Sequence, residues 1–311
     1  NLFKYSRLYS GEDPEFIEGD IFKIIVPLNE NVAYKSQESI STVKIRWVQA
    51  QCYEIKLPNG KTIVTDPFFG GGVIQPPFPI SAGDLEGCDY ILLNHSHIDH
   101  ILHVPDLYKR FHPLIICDTR FAFELSKAFD IPFGSIFPIQ EGGEYVFDDF
   151  RLNVFPALHN PVAGDTARRR MANAGKALKE FGVDVPAELT SVGSLCNLNF
   201  MLTLPNKFRI GFAAGVDMLN MKEAWRTSGP NLLLRQRMVY ATAEEYAKDI
   251  VDLCGTITVP MHHETAFPIN SDMSKFMDEV NQRLDDMGYV GRAMNPSRMK
   301  WYSVFSGIAA E

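Results

Sequence analysis

The chain has no Cys-x-x-Cys pair; its five cysteines, Cys52, Cys88, Cys117, Cys196 and Cys254, are odd in number and widely scattered. That pattern argues against a disulfide framework and a thiolate zinc knuckle, and it fits reduced, mostly buried thiols in a cytoplasmic protein. No apolar run reaches spanning length, and the first residues lack the charged and apolar regions of a signal peptide, so no membrane span is expected. Positive charge is in deficit: 30 Lys and Arg against 38 Asp and Glu leave a net charge of -8. A surface that works by neutralising phosphates is disfavoured by that balance, which makes nucleic acid a minority partner beside a small-molecule substrate. No repeat of fixed short period is present either, which sets aside solenoid architectures.

What is present is ordinary in bulk and unusual in one place. With 46% hydrophobic and 22% charged residues in 311, the chain is long enough for one large core with an extension. The unusual place is His95-Ser96-His97-Ile98-Asp99-His100, which follows the apolar run Tyr90-Ile91-Leu92-Leu93. Three of the chain's eight histidines fall in these six residues. Imidazole and carboxylate are the ligands that zinc, manganese and iron accept, and a chance polar turn rarely concentrates them so. If Tyr90 to Leu93 is a buried strand, His95 and His97 leave its end on one side, while Asp99 and His100 fall in the following turn and face a second ion.

Elsewhere the patterning alternates strand and helix. Val43 to Gln49, Cys52 to Leu57 and Lys61 to Thr65 read as strands, with Pro58-Asn59-Gly60 as a hairpin turn. Helices are expected through Leu107 and Phe111, over 119–129, over 163–182 and over 242–254, where Thr242 and Glu245 form a capping box. A last helix over 272–287 places Met273, Phe276, Met277, Val280, Leu284 and Met287 on its core side and stops at Gly288. Further strands are expected at 114–117, 144–147, 151–156, 196–204, 208–214 and 256–260. Residues 67–82, rich in Gly, Pro and Phe, are expected to border the mouth of a site, and the basic 163–182 helix is a candidate lid. His103 and His112 read as helix-surface residues.

The motif His-x-His-x-Asp-His after a hydrophobic strand resembles the metallo-β-lactamase superfamily of metal-dependent hydrolases. The resemblance runs over roughly residues 43–265 and implies an α+β fold, a four-layer αββα sandwich. Residues 1–40 are then an N-terminal extension and 41–311 the hydrolase domain. Within the extension, Phe16 to Leu28 resembles the tail of bacterial ATP-binding transcription regulators; an arm that pairs with an edge strand or a partner subunit is the plainer reading, and a homo-oligomer stays open.

Carried over residue by residue, the resemblance makes His159, straight after the strand 151–156, the third ligand of the first metal with His95 and His97. Asp99, His100 and His262 would hold the second, and Asp217 would bridge the two. The family pattern at the bridge is Gly-Asp, from which Gly215-Val216-Asp217 departs. Asp66, at a strand end in Asp-Pro, would support the ligands from behind. Pro260-Met261-His262 looks like the branch that includes the ascorbate-phosphate lactonase-like proteins, and His263 is a candidate substrate contact or proton donor. The implied cofactors are two divalent ions, Zn or Mn with Fe as a third candidate. A hydroxide bridging them would attack a small, anionic ester or lactone, with Asp99 or His263 passing a proton to the leaving group. The rivals are a metal-dependent phosphodiesterase, phospholipase D-like or RNA-processing, and a metal-binding regulatory protein without catalysis.

Overall fold

A computed structural model describes residues 15–17, 23–25, 42–70, 78–159, 189, 196–215, 219–237, 241–263 and 273–304. The chain divides into two units, Asn1–Ser41 and Thr42–Glu311. In the first, strands β1 (Glu15–Ile17) and β2 (Lys23–Ile25) pair antiparallel, with Phe16 opposite Ile24.

The second unit is built from two sheets of seven described strands each. The first sheet takes β3 (Val43–Gln49), β4 (Cys52–Lys56), β5 (Thr62–Thr65), β6 (Tyr90–Leu92), β7 (Leu114–Asp118) and β8 (Ile136–Ile139). The second sheet takes β9 (Glu144–Val146), β10 (Arg151–Pro156), β11 (Leu198–Thr203), β12 (Arg209–Ala213), β13 (Leu232–Gln236), β14 (Ile257–Met261) and β15 (Arg292–Ala293). The chain then returns to the first sheet as β16 (Tyr302–Val304), antiparallel to β3. In each sheet one part is antiparallel and the other parallel: β5 to β8 in the first, β12 to β15 in the second. Strands such as β6 and β7 are nearly all apolar because both of their faces are covered.

Between the sheets, Val43, Ile45, Trp47 and Ile55 meet Leu152, Phe200, Phe212 and Leu234 in one core. Six helices are described: α1 (Ile98–Ile101), α2 (Val104–Phe111), α3 (Thr119–Phe129), α4 (Leu219–Thr227), α5 (Ala243–Asp252) and α6 (Ser274–Asp286). Leu107 of α2 and Phe121 and Leu125 of α3 cover Ile91 and Ile115 on the outer face of the first sheet. On the second sheet Met221 and Trp225 of α4 cover Ala213 and Leu233, while α5 and α6 share Tyr246, Ile250, Met277, Val280 and Leu284. Full burial of each such side chain contributes on the order of 1.5–3 kcal/mol. The result is the helix–sheet–sheet–helix sandwich that the family resemblance implied. Among the described residues no helix is long and apolar enough to cross a membrane.

Several elements escaped the sequence reading. β8 contains Pro138, which only an edge strand tolerates, and β13 is a short apolar run whose periodicity does not separate strand from helix. α4, β15 and β16 were also not expected. The Thr242 capping box is present, with the Thr242 side chain accepting from the Glu245 N–H and the Glu245 carboxylate accepting from the Thr242 N–H. α6 is followed by Gly288 at φ +67°, but Met287 at its cap is 42% exposed rather than on the core side. The 163–182 helix and the middle of the 67–82 loop lie outside the described residues.

Candidate metal centre

Every candidate ligand within the described residues follows the carboxyl end of a strand. His95 comes after β6, His159 after β10 and His262 after β14, with Asp66 after β5. Because β5, β6 and β14 lie in the parallel parts of their sheets, their loops open at common ends, where α/β proteins gather ligands. The structure brings His95, His97 and His159 into one group and Asp99, His100 and His262 into another. Within each group one ligand atom per residue lies within 4.8 Å of the others. The groups adjoin through His95 and His100, whose ring centroids are 3.8 Å apart. Asp99 and His100 sit not in a turn but on the single helical turn α1, with the His100 N–H bonded to the His97 carbonyl at 2.9 Å. Asp217 lies outside the described residues.

Each group is oriented from behind. His95 Nδ1 is 2.6 Å from Asn94 Oδ1, which turns its Nε2 toward His97 Nδ1 at 3.0 Å. Asn94 is itself buried, its side-chain amide donating to the Leu198 carbonyl and its backbone N–H to Asp66 Oδ1 at 2.7 Å. The other Asp66 oxygen, Oδ2, lies 3.1 Å from His100 Nδ1. In the second group, Asp99 Oδ2 is 3.1 Å from His262 Nε2 and 3.8 Å from His100 Nε2. Asn94 was not singled out in the sequence, although a polar residue directly between an apolar run and the histidines was the available signal.

The electrostatics match a cation-binding site. Desolvation, and then the neighbouring imidazoles, hold His95 well below the usual histidine range, and desolvation brings His97 down to about 4. Both are therefore neutral near pH 7, the form in which imidazole binds a metal. Desolvation pushes the Asp99 carboxyl up, but His100, His262 and His97 outweigh it and hold Asp99 below the usual carboxylate range. Asp66 is raised by desolvation against the pull of His100 and the Asn94 N–H. Two groups of imidazole donors, one with a carboxylate, fit borderline divalent ions and contain no thiolate.

Two histidines are placed differently from expectation. His263 belongs to neither group; it is 1% exposed, its ring 4.5 Å from that of Trp47, and desolvation followed by Arg298 and His262 pushes it down to about 3. His103 is half-buried rather than a helix-surface residue. It lies against Phe68 and Phe69, its Nδ1 accepts from the Phe69 N–H at 3.1 Å, and desolvation brings it down to about 4. With Phe69, Ile80, Ala82 and Lys109 it lines a cavity of about 580 Å³ that no member of the two donor groups borders. His112 is exposed, as expected.

Comparison with known proteins bears on the same residues. The family model described as "Beta-lactamase superfamily domain" matches residues 61–184. A UPF0173 metal-dependent hydrolase of Salinibacter ruber is 25% identical over 240 residues, 73% of this chain and 86% of that protein. One from Sulfurisphaera tokodaii is 22% identical over 263 residues, 82% of this chain and 97% of that protein. Among solved structures, a metallo hydrolase from the archaeon Ignicoccus hospitalis shares the fold with a TM-score of 0.59 at 15% identity, over 84% of this chain and 98% of that one.

Proposed function

We propose that the chain, similar over residues 61–184 to the beta-lactamase superfamily domain and along most of its length to metal-dependent hydrolases, is a dinuclear metal-dependent hydrolase of a small, anionic ester or lactone. The observation that carries the reading is the pair of adjoining three-donor groups, His95/His97/His159 and Asp99/His100/His262. Divalent ions bound there, zinc or manganese first, supply an acidified water and positive charge for a developing oxyanion. The protein's own part is to hold the donors and, by burial, to keep His95 and His97 neutral. Asn94 and Asp66 set the directions of His95 and His100, and Asp217 is kept as the bridging carboxylate by resemblance. Asp99, 3.1 Å from His262 Nε2, is kept as the proposed carrier of a proton to the leaving group.

His263, neutral and buried on Trp47, is reassigned from proton donor to packing. The substrate class rests on the Pro260-Met261-His262 ending, which looks like the lactonase-like branch. A cytoplasmic setting belongs to the same reading, supported by five cysteines, none of them in a disulfide. The test is elemental analysis of protein purified without added metal, then lactones, carboxylic esters and phosphodiesters assayed with the metal found. Two equivalents of metal and chelator-sensitive ring opening are expected. Phosphodiester cleavage alone would replace the substrate class, and metal without turnover of any ester would favour a regulatory protein.

A further inference from the structure

His262 is the donor whose backbone is hardest to place. It sits at φ +56°, in the left-handed region that a non-glycine residue adopts only when its surroundings impose it. Its N–H donates to the Ala50 carbonyl at 3.1 Å. Ala50, in the turn between β3 and β4, is itself left-handed at φ +48°, beside a register shift between Trp47 and Gln49. Two strained residues, one from each sheet's end, thus meet at one carbonyl oxygen.

That oxygen has a second donor. The Trp47 indole Nε1–H reaches the Ala50 carbonyl at 3.2 Å, so both of its lone pairs are engaged. The indole is itself held. Its ring stacks on His263 at 4.5 Å, and the Arg298 guanidinium lies 4.7 Å from its centroid. Arg298 also donates through Nε to the Val48 carbonyl at 3.0 Å, and the Met299 N–H to the Trp47 carbonyl at 2.8 Å. Trp47 and His263 are 4% and 1% exposed. A tryptophan serving only as core filler needs a ring; here the N–H is spent on the turn that fixes a donor.

We infer that Trp47 is a positioning residue for the second metal group: its indole N–H locks the Ala50 carbonyl, and that carbonyl sets the backbone of His262. The inference rests on the dinuclear reading above. Outer residues that orient ligands typically change metal affinity 10–100-fold when lost.

The test is cobalt(II) titration of the full chain, followed by visible absorption, for wild type, Trp47→Phe and Arg298→Met. Trp47→Phe keeps an aromatic ring at the position and removes the N–H together with part of the buried indole volume. It is expected to bind the first equivalent as wild type does and the second about 10–100-fold more weakly, with an altered spectrum for that second ion. Arg298→Met keeps the N–H and loosens the ring, and should shift the second equivalent in the same direction by less. If wild type takes up fewer than two equivalents, the dinuclear reading fails first. If wild type takes up two and Trp47→Phe binds both unchanged, or loses both equally, Trp47 is packing alone and the inference falls. Should Trp47→Phe not fold, Arg298→Met decides: an unchanged second equivalent overturns the inference.

Discussion

Gly215→Ala is the perturbation whose effect follows most directly from the geometry. Gly215 follows β12; its N–H lies 3.3 Å from Asn199 Oδ1 and its carbonyl accepts from Arg235 at 2.9 Å, so its backbone is pinned on both sides. A Cβ there would press on the Asn197 side-chain amide and come within 2.6 Å of the Leu158 carbonyl oxygen and 2.9 Å of Ala157 Cβ. Ordinary contact begins at 3.4 Å, so the Ala157–Leu158 backbone must yield by about 0.5–0.8 Å. Leu158 O is main chain and cannot rotate away, and the next residue is His159. Overpacking of this kind costs about 1–3 kcal/mol, and a backbone collision belongs in the upper half of that range. The shift also exceeds the roughly 0.2 Å within which metal–ligand distances are held, so affinity at His95/His97/His159 should fall about 10–100-fold. Urea denaturation and zinc titration read the two effects separately. Gly134→Ala is the control, because a Cβ at Gly134 meets nothing within 4 Å and should change neither. A Gly215→Ala protein with wild-type stability and wild-type first-site affinity would refute the reasoning.

Asp66→Asn keeps the acceptor for the Asn94 N–H but removes the carboxylate 3.1 Å from His100 Nδ1; metal affinity should drop about 10–100-fold in calorimetric titration while the denaturation midpoint holds. Arg46→Met strips the guanidinium from Glu54, which is fully buried and whose carboxyl desolvation already raises; unfolding should cost about 3–5 kcal/mol less than in wild type. Adding Glu54→Gln should recover part of that loss, since an amide oxygen still accepts from the Glu86 and Gly87 N–H groups. The last prediction concerns pH. The Thr242 N–H and hydroxyl lower the Glu245 carboxyl below its ordinary 4.5, so its contribution to the α5 cap is full above pH 4.5 and lost as pH falls through the lower folded value. Glu245→Gln should therefore be less stable than wild type at pH 7, and the two denaturation curves should converge in acid.

The chain's order of residues was enough for much of this. The hexapeptide after β6 pointed to metal binding, because three imidazoles and a carboxylate in six residues have few other uses, and the family resemblance it carries implied His159, His262 and the fold. The strands β3 to β5 and the capped helix α5 were readable for a local reason: alternation, turn residues and caps act between neighbours in the chain. Elements without such a local mark were missed, as in β8 with its proline and β13 with its short Leu232–Leu234 run.

What the linear order left open depends on residues that meet only after folding. His262 and His263 are adjacent and chemically identical in sequence, yet one faces Asp99 and the other stacks on Trp47, a difference set by the left-handed backbone of His262 and the Ala50 carbonyl that receives its N–H. His103, three residues from a donor, is enclosed by Phe68 and Phe69 and turned to the Phe69 N–H, away from both groups. Sequence alone determined which metal-binding residue types the chain carries and how the hexapeptide spaces them, since these are properties of the residues themselves. Tertiary structure decided which histidines gather into the two groups, since burial and direction arise only from what each ring is packed against.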